Sequence, residues 1–70
     1  MRVGFAAVVQ QRDEWWIGWI AEIPGVNSQE TTRADLLLSL TSALDEALRM
    51  NREEALSSAV GPFEEVLIPV

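Results

Sequence analysis

The chain has 70 residues, of which 49% are hydrophobic, so it is long enough for one small hydrophobic core and too short for a second domain. It contains no cysteine, which excludes disulfides and thiolate zinc sites. It also contains no histidine, the side chain that most often acts as a general base near neutral pH. Eleven acidic and five basic residues give a net charge of −6, which argues against direct binding of nucleic acid and favours a basic protein partner.

Two short apolar stretches, residues 3–10 and 15–23, predict a β-hairpin because both are rich in β-branched and aromatic residues and polar residues separate them. Pro24 and Gly25 then break the second strand and predict a structural corner. Residues 26–29 predict a short third strand. The polar residues after Val9 do not resemble a signal-peptide cleavage site, and no apolar run approaches the roughly 18 residues of a membrane span. We therefore expect a cytoplasmic protein with no membrane partner.

From Thr32 onward the apolar residues repeat with the period of a helix. They fall within one arc roughly 160° wide, and Thr32 and Asp35 have the spacing of a helix-capping pair. We predict a helix over residues 32–56, ended by Gly61 and Pro62. The predicted buried stripe comprises Leu36, Leu37, Leu40, Ala43, Leu44, Ala47, Leu48 and Met50.

The last residues, 63–70, alternate in part, with Val66, Ile68 and Val70 on one side. They predict a closing strand, which Pro69 places at an edge or an end of the sheet. The predicted order is β-β-β-α-β, a small antiparallel sheet packed on one long helix within a single domain of residues 1–70. The fold class is therefore α+β.

The tryptophans of the second strand predict a further contact. Side chains alternate along a strand, so Trp15 and Trp19 point to one side of the sheet and Trp16 points to the other. One helix covers only one side, so either a second copy of the chain or a partner protein must cover the other. We predict a homo-oligomer: a dimer built through sheet or edge-strand contacts, with a tetramer as the open alternative.

Residues 5–48 resemble the HicB-like antitoxin domain family. The resemblance rests on an ordered set of features: the alternating strand of Phe5, Ala7 and Val9; the acidic turn at 13–14; the aromatic strand 15–20; the corner at 22–25; and Ser28 and Gln29 before the helix start. The chain departs from the family pattern at Ala21, Glu30 and Thr31.

The resemblance implies a degenerate ribonuclease-H-like fold without catalytic acids. Because the chain has no His and no Cys, and its acids show no convergent site, we expect a protein that is not an enzyme and that has no cofactor or metal. The resemblance also implies that the protein neutralises a small basic HicA-type RNA-cleaving toxin by covering its active surface. Many family members add a C-terminal DNA-binding domain, whereas this sequence stops at Val70, so we do not expect operator binding. The alternative is an orphan HicB-like module that oligomerises and has no toxin partner.

The predicted partner-binding residues divide into anchors and steering charges. Trp15 or Trp16 is the expected aromatic anchor, whichever of them does not face the helix. Glu22, Asp45 and Glu46 are expected to steer a basic partner. The predicted structural residues are Pro24, Gly25 and Thr32. The acids do not obviously converge on one point, which argues against a carboxylate enzyme.

Overall fold

The computed structural model describes residues 4–69. It contains three strands, β1 (Ala7–Arg12), β2 (Trp15–Ile20) and β3 (Asn27–Glu30), followed by one long helix, α1 (Arg33–Ser57). The strands form an antiparallel sheet in the order β1-β2-β3. The predicted α+β class, with a three-stranded antiparallel sheet and one long helix, is confirmed.

The hairpin between β1 and β2 has a two-residue turn. Arg12 lies opposite Trp15, and Ala7 lies opposite Ile20. Asp13, the first turn residue, has φ = +57°, a conformation that two-residue hairpin turns require and that Asp tolerates better than most residues. The strands differ from their predicted limits: β1 continues to Arg12 and β2 ends at Ile20, while Val3 lies outside the described residues.

The corner between β2 and β3 occupies residues 21–25. The Ile20 N–H donates to the Val26 carbonyl over 3.0 Å, which closes the turn. Gly25 has φ = +87°, in the region where a Cβ is strained. Pro24 precedes it and is exposed, and Val26 after it is buried in the core.

The helix begins at the predicted cap. The Thr32 hydroxyl accepts a hydrogen bond of 3.1 Å from the Asp35 N–H, and so satisfies one of the amides that a helix start leaves unpaired. A second link fixes the helix against the sheet, because the Ser39 hydroxyl donates to the Glu30 carboxylate on β3 over 2.6 Å. The first turns of α1 are therefore attached to the strand that precedes them.

The core consists of Ile20, Val26, Leu36 and Leu40, with half-buried Val9, Trp16, Ile23, Ala43, Leu44 and Ala47 packed around it. The buried stripe ends earlier than predicted, since Leu48 is exposed and 59% of Met50 is accessible. The cause is length: a helix of 25 residues is about 37 Å long, whereas a six-residue strand spans about 20 Å. The last turns of α1 extend beyond the sheet.

The predicted closing strand is wrong for the residues that the structure describes. Residues 59–69 have no regular secondary structure and are exposed, and Val70 lies outside the described range. Alternation alone predicted a strand, but the overhanging end of α1 carries this segment away from the sheet. An ion pair of 2.8 Å joins Arg52 to Glu65, so the segment lies beside the overhang. The architecture of residues 4–69 is β-β-β-α.

Candidate functional site

The side of the sheet opposite α1 is an open apolar surface. Gly18 and Ile20 point toward α1, so the alternating residues Trp15, Ile17 and Trp19 point away from it. Trp15 and Trp19 are each 41% exposed, which is unusual for side chains of this size. The helix leaves this surface uncovered.

The strands on either side of β2 place one apolar, one basic and three polar side chains around the aromatic residues. Val8 lies opposite Trp19 and Gln10 opposite Ile17, and Arg12 lies opposite Trp15. On the other side, β3 contributes Asn27 and Gln29 by the same register. We call this set the open sheet face: Val8, Gln10, Arg12, Trp15, Ile17, Trp19, Asn27 and Gln29. These strand positions carry one positive charge, and none of them is acidic.

The structure separates the two predicted anchors. Trp16 is half-buried and packs against the core beneath α1, whereas Trp15 lies on the open sheet face. Because the expected anchor is the tryptophan that does not face the helix, Trp16 is a core residue and Trp15 is the remaining anchor. Trp19 was not among the predicted partner-binding residues, although the two-residue period of the strand already placed it beside Trp15.

Glu22 lies at the corner after β2 and is half-buried. Its Oε1 accepts a hydrogen bond of 2.9 Å from the Ala6 N–H, and the Ala21 N–H donates to the Ala6 carbonyl over 2.9 Å. The carboxylate therefore ties the chain before β1 to the corner after β2. This contact gives Glu22 a structural role in addition to its predicted steering role.

Asp45 and Glu46 lie on the exposed surface of α1. Asp45 pairs with Arg49 at 3.6 Å, four residues further along the same side of the helix. Because α1 covers the opposite side of the sheet, these acids are in a different layer from Trp15. The structure does not bring the predicted anchor and the predicted helix acids together.

The acids nearest to the open sheet face are in the β1–β2 turn. Asp13 and Glu14 directly precede Trp15 and are both exposed. The sequence predicts this turn as part of the hairpin and of the family resemblance, but not as a partner-binding site. Its position next to an exposed tryptophan makes it the local negative charge available to a ligand on that face.

The described residues contain neither a metal-binding cluster nor a pocket. Across residues 4–69 there is no group of His, Cys, Asp or Glu that could hold a metal ion. The same part of the chain has no detectable pocket. A flat, partly aromatic face of this kind suits a macromolecular surface better than a small ligand.

A separate observation concerns membranes. Among the described residues, no helix is both long and apolar enough to span a bilayer.

The fold and this surface define a small α+β protein with a two-layer arrangement and an uncovered sheet face. No family model matches the chain, and no curated protein and no solved structure matches it either.

Proposed function

We propose that the protein is a binding module that acts as a HicB-like antitoxin and neutralises a small basic HicA-type RNA-cleaving toxin by covering its active surface. The observation that carries the proposal is the open sheet face, with Trp15 and Trp19 each 41% exposed. The family resemblance of residues 5–48 supplies the identity of the toxin. The ribonuclease-H-like relationship of the fold belongs to the same proposal.

Exposed tryptophans are effective anchors for a protein partner. Each carries a large apolar area on a side chain with only two rotatable bonds, and such residues dominate the affinity of many interfaces. Trp15 and Trp19 are held by a hydrogen-bonded strand in the middle of the sheet, so they lose little freedom when a partner binds. Val8 and Ile17 extend the apolar area between and beside them.

Charge assists the approach of a basic toxin. The net charge of −6 attracts a positively charged protein over about one Debye length, roughly 10 Å at 0.1 M salt. Asp13 and Glu14 are next to the open sheet face, whereas Asp45 and Glu46 lie in the other layer. The turn acids therefore act at close range, and the helix acids contribute only to the long-range field.

The same apolar face also supports the second candidate, an orphan homo-oligomeric module. A second copy could bury Trp15 and Trp19 as effectively as a toxin could, since an exposed apolar patch favours either kind of contact. The two candidates differ in whether a basic partner exists and whether it competes for these residues.

The test uses the product of the neighbouring reading frame, which the proposal expects to be short, rich in Lys and Arg, and to have one candidate catalytic His. Its RNA cleavage is measured with and without this protein, and its affinity is measured by calorimetry. Trp19→Ala should weaken binding by about 30-fold or more and should restore RNA cleavage. Leu38→Ala, which removes an exposed leucine from α1, is the matched control and should bind normally.

Two results would overturn the toxin proposal. One is a neighbouring product that neither binds this protein nor cleaves RNA. The other is equal affinity for the Trp19→Ala and Leu38→Ala variants. If light scattering also showed that Trp19→Ala dissociates the free protein, the orphan module would replace the antitoxin.

A further inference from the structure

The β1 edge of the sheet is unpaired in the described chain. Arg12 and Trp15 close a two-residue turn, so they form a hydrogen-bonded pair, and such pairs recur at every second residue. Ala7, Val9 and Gln11 therefore direct their backbone N–H and C=O groups outward, away from β2. An edge of six residues without Pro or Lys is a template for another strand.

The helix also leaves this side of the sheet incompletely covered. It packs mainly on β2 and β3 and barely contacts β1. Ser39, which bonds Glu30 of β3, marks the flank of α1 that lies over β3. At 100° per residue, Leu37 and Leu44 lie on the opposite flank of α1, the one nearer to β1.

These leucines and the β1 edge form one feature, which we call the β1 corner: Ala7, Val9, Gln11, Leu37 and Leu44. Leu37 and Leu44 are only half-buried. A strand added beside β1 would pair with the free backbone groups and place alternate side chains under the leucines. The β1 corner is therefore suited to an apolar strand.

The chain contains an unpaired segment of that kind. Residues 64–69 read Glu-Glu-Val-Leu-Ile-Pro, and they have no regular secondary structure. Leu67 is 95% exposed and Ile68 is 80% exposed. Val66, Leu67 and Ile68 therefore expose large apolar side chains to water, and covering them is favourable.

We propose that residues 64–69 of one copy pair as a fourth strand with β1 of a second copy, and that the exchange is reciprocal. In the described chain, the Arg52–Glu65 ion pair places Glu65 beside the overhang of α1. Arg52 is five residues past Ala47, which is the last helix residue that packs on the core. The four residues 66–69 span about 13 Å. Reaching back along α1 from Arg52 to Ala47 uses about 7.5 Å of that span. The remaining length, roughly 5–6 Å, is too short to lie along a six-residue strand of about 20 Å.

A two-fold arrangement removes this limit, because the partner's β1 corner can approach the segment where it already lies. Each copy then covers one exposed segment and one open edge of the other. Charge supports an antiparallel pairing: Arg12 is the charged residue of β1, and Glu64 and Glu65 begin the segment. That direction places Glu64 near Arg12 and the apolar residues beside Ala7 and Val9.

The exchange is tested on the purified protein without any partner, using its lack of cysteine. One tagged chain carries Gln11→Cys and a second, differently tagged chain carries Leu67→Cys. The two are mixed, and a short bismaleimide is added. We expect a cross-linked species that contains both tags. Val60→Cys in place of Leu67→Cys is the matched control and should cross-link weakly.

The double variant Gln11→Cys/Leu67→Cys separates exchange from folding back within one chain. At a concentration at which light scattering gives the dimer mass, exchange gives a cross-linked product of twice the 7.8 kDa chain mass, whereas folding back gives a product that stays at the mass of one chain. The second result would overturn the proposal.

A substitution provides an independent measurement. Ile68 is 80% exposed in the described chain, so Ile68→Asp should leave the sheet and helix intact by circular dichroism. Light scattering should then give 7.8 kDa for Ile68→Asp and twice that mass for the unchanged protein and for Val60→Asp. A mass of 7.8 kDa for the unchanged protein at high micromolar concentration, or an unaltered dimer in Ile68→Asp, would overturn the exchange. Toxin binding at the open sheet face is measured on other residues, so either proposal can fail alone.

Discussion

Gly18 and Leu40 meet where α1 crosses the central strand: a Cβ on Gly18 would lie 3.0 Å from Leu40 Cδ1 and 2.9 Å from the Val8 carbonyl oxygen. The absence of a side chain at Gly18 therefore sets how closely the helix approaches the sheet. Leu36 Cδ2 closes the same space at 3.2 Å. Leu36 and Leu40, the two fully buried leucines of the core, therefore both pack against Gly18.

We predict that Gly18→Ala destabilises the fold by about 1–3 kcal/mol, because the added methyl group overpacks a full core and meets backbone as well as side chain. Urea denaturation followed by tryptophan fluorescence measures the change. Gly4→Ala is the control, since a Cβ at Gly4 has no neighbour within 4 Å. Equal midpoints for the two variants would contradict the close contact.

Leu40→Ala should cost about 2–5 kcal/mol, the range for emptying a filled core position. Leu44→Ala should cost less, because Leu44 is only half-buried and part of its surface already contacts water. Leu38→Ala should change stability by less than about 0.5 kcal/mol, since Leu38 is 70% exposed. The order of the three unfolding free energies is the test, and a larger loss at Leu44 than at Leu40 would show that the helix is rotated from its described position.

Thr32→Ala should destabilise the protein by about 1 kcal/mol, because the Asp35 N–H loses the hydroxyl that caps it. Thr32→Ser keeps that oxygen and should recover most of the stability. Thr31→Ala, one residue earlier and exposed, serves as the control in the same thermal melts. A Thr32→Ser variant as unstable as Thr32→Ala would assign the effect to something other than the cap.

Gly25→Ala should destabilise the fold by about 1–2 kcal/mol, the cost of placing a Cβ in the left-handed region. Gly61 provides an informative comparison: it has φ = +83° against +87° for Gly25, and a Cβ added at either glycine would have no neighbour within 4 Å. Gly61 belongs to the segment outside the sheet and helix, so Gly61→Ala should leave the unfolding midpoint of the monomeric Ile68→Asp variant almost unchanged. Similar losses for both would show that residues 59–69 unfold together with the core.

The steering charges can be separated by two matched double variants, Asp13→Asn/Glu14→Gln and Asp45→Asn/Glu46→Gln, each of which removes two negative charges. We expect the first pair to slow association with the basic neighbouring product more than the second, because the turn lies next to Trp15 and the helix acids lie in the other layer. Stopped-flow association rates at low and at high salt provide the measurement. A larger effect of the helix pair would place the toxin on α1 instead.

Local patterns were sufficient to predict most of the backbone. The hairpin, the corner at Gly25, the cap at Thr32 and the long helix each depend on contacts within a few residues, and the chemistry of those contacts is visible in the sequence. The tertiary arrangement determined how far along the chain a local apolar pattern corresponds to buried residues. The apolar stripe of α1 continues to Met50 in sequence, but the sheet beneath it ends earlier.

The candidate site shows the same division. Strand alternation separates Trp15 and Trp19 from Trp16, but it does not say which side the helix covers. That choice depends on Gly18, whose missing side chain allows Leu36 and Leu40 to approach one side of β2 closely. Once the helix occupies that side, Trp16 becomes part of the core and Trp15 and Trp19 remain in solvent.

By itself, the sequence determined the three strands and the helix, the acidic charge and the presence of more apolar surface than one helix can cover, because each of these depends on residue type and short-range spacing. Only the tertiary structure decided which tryptophans are exposed, where the core ends along α1, and that residues 59–69 do not close the sheet. These outcomes depend on how the lengths of the helix and the sheet compare and on which face packs most closely. The relative lengths and the choice of packed face both depend on contacts between residues that are far apart in sequence, so a local sequence pattern does not predict them.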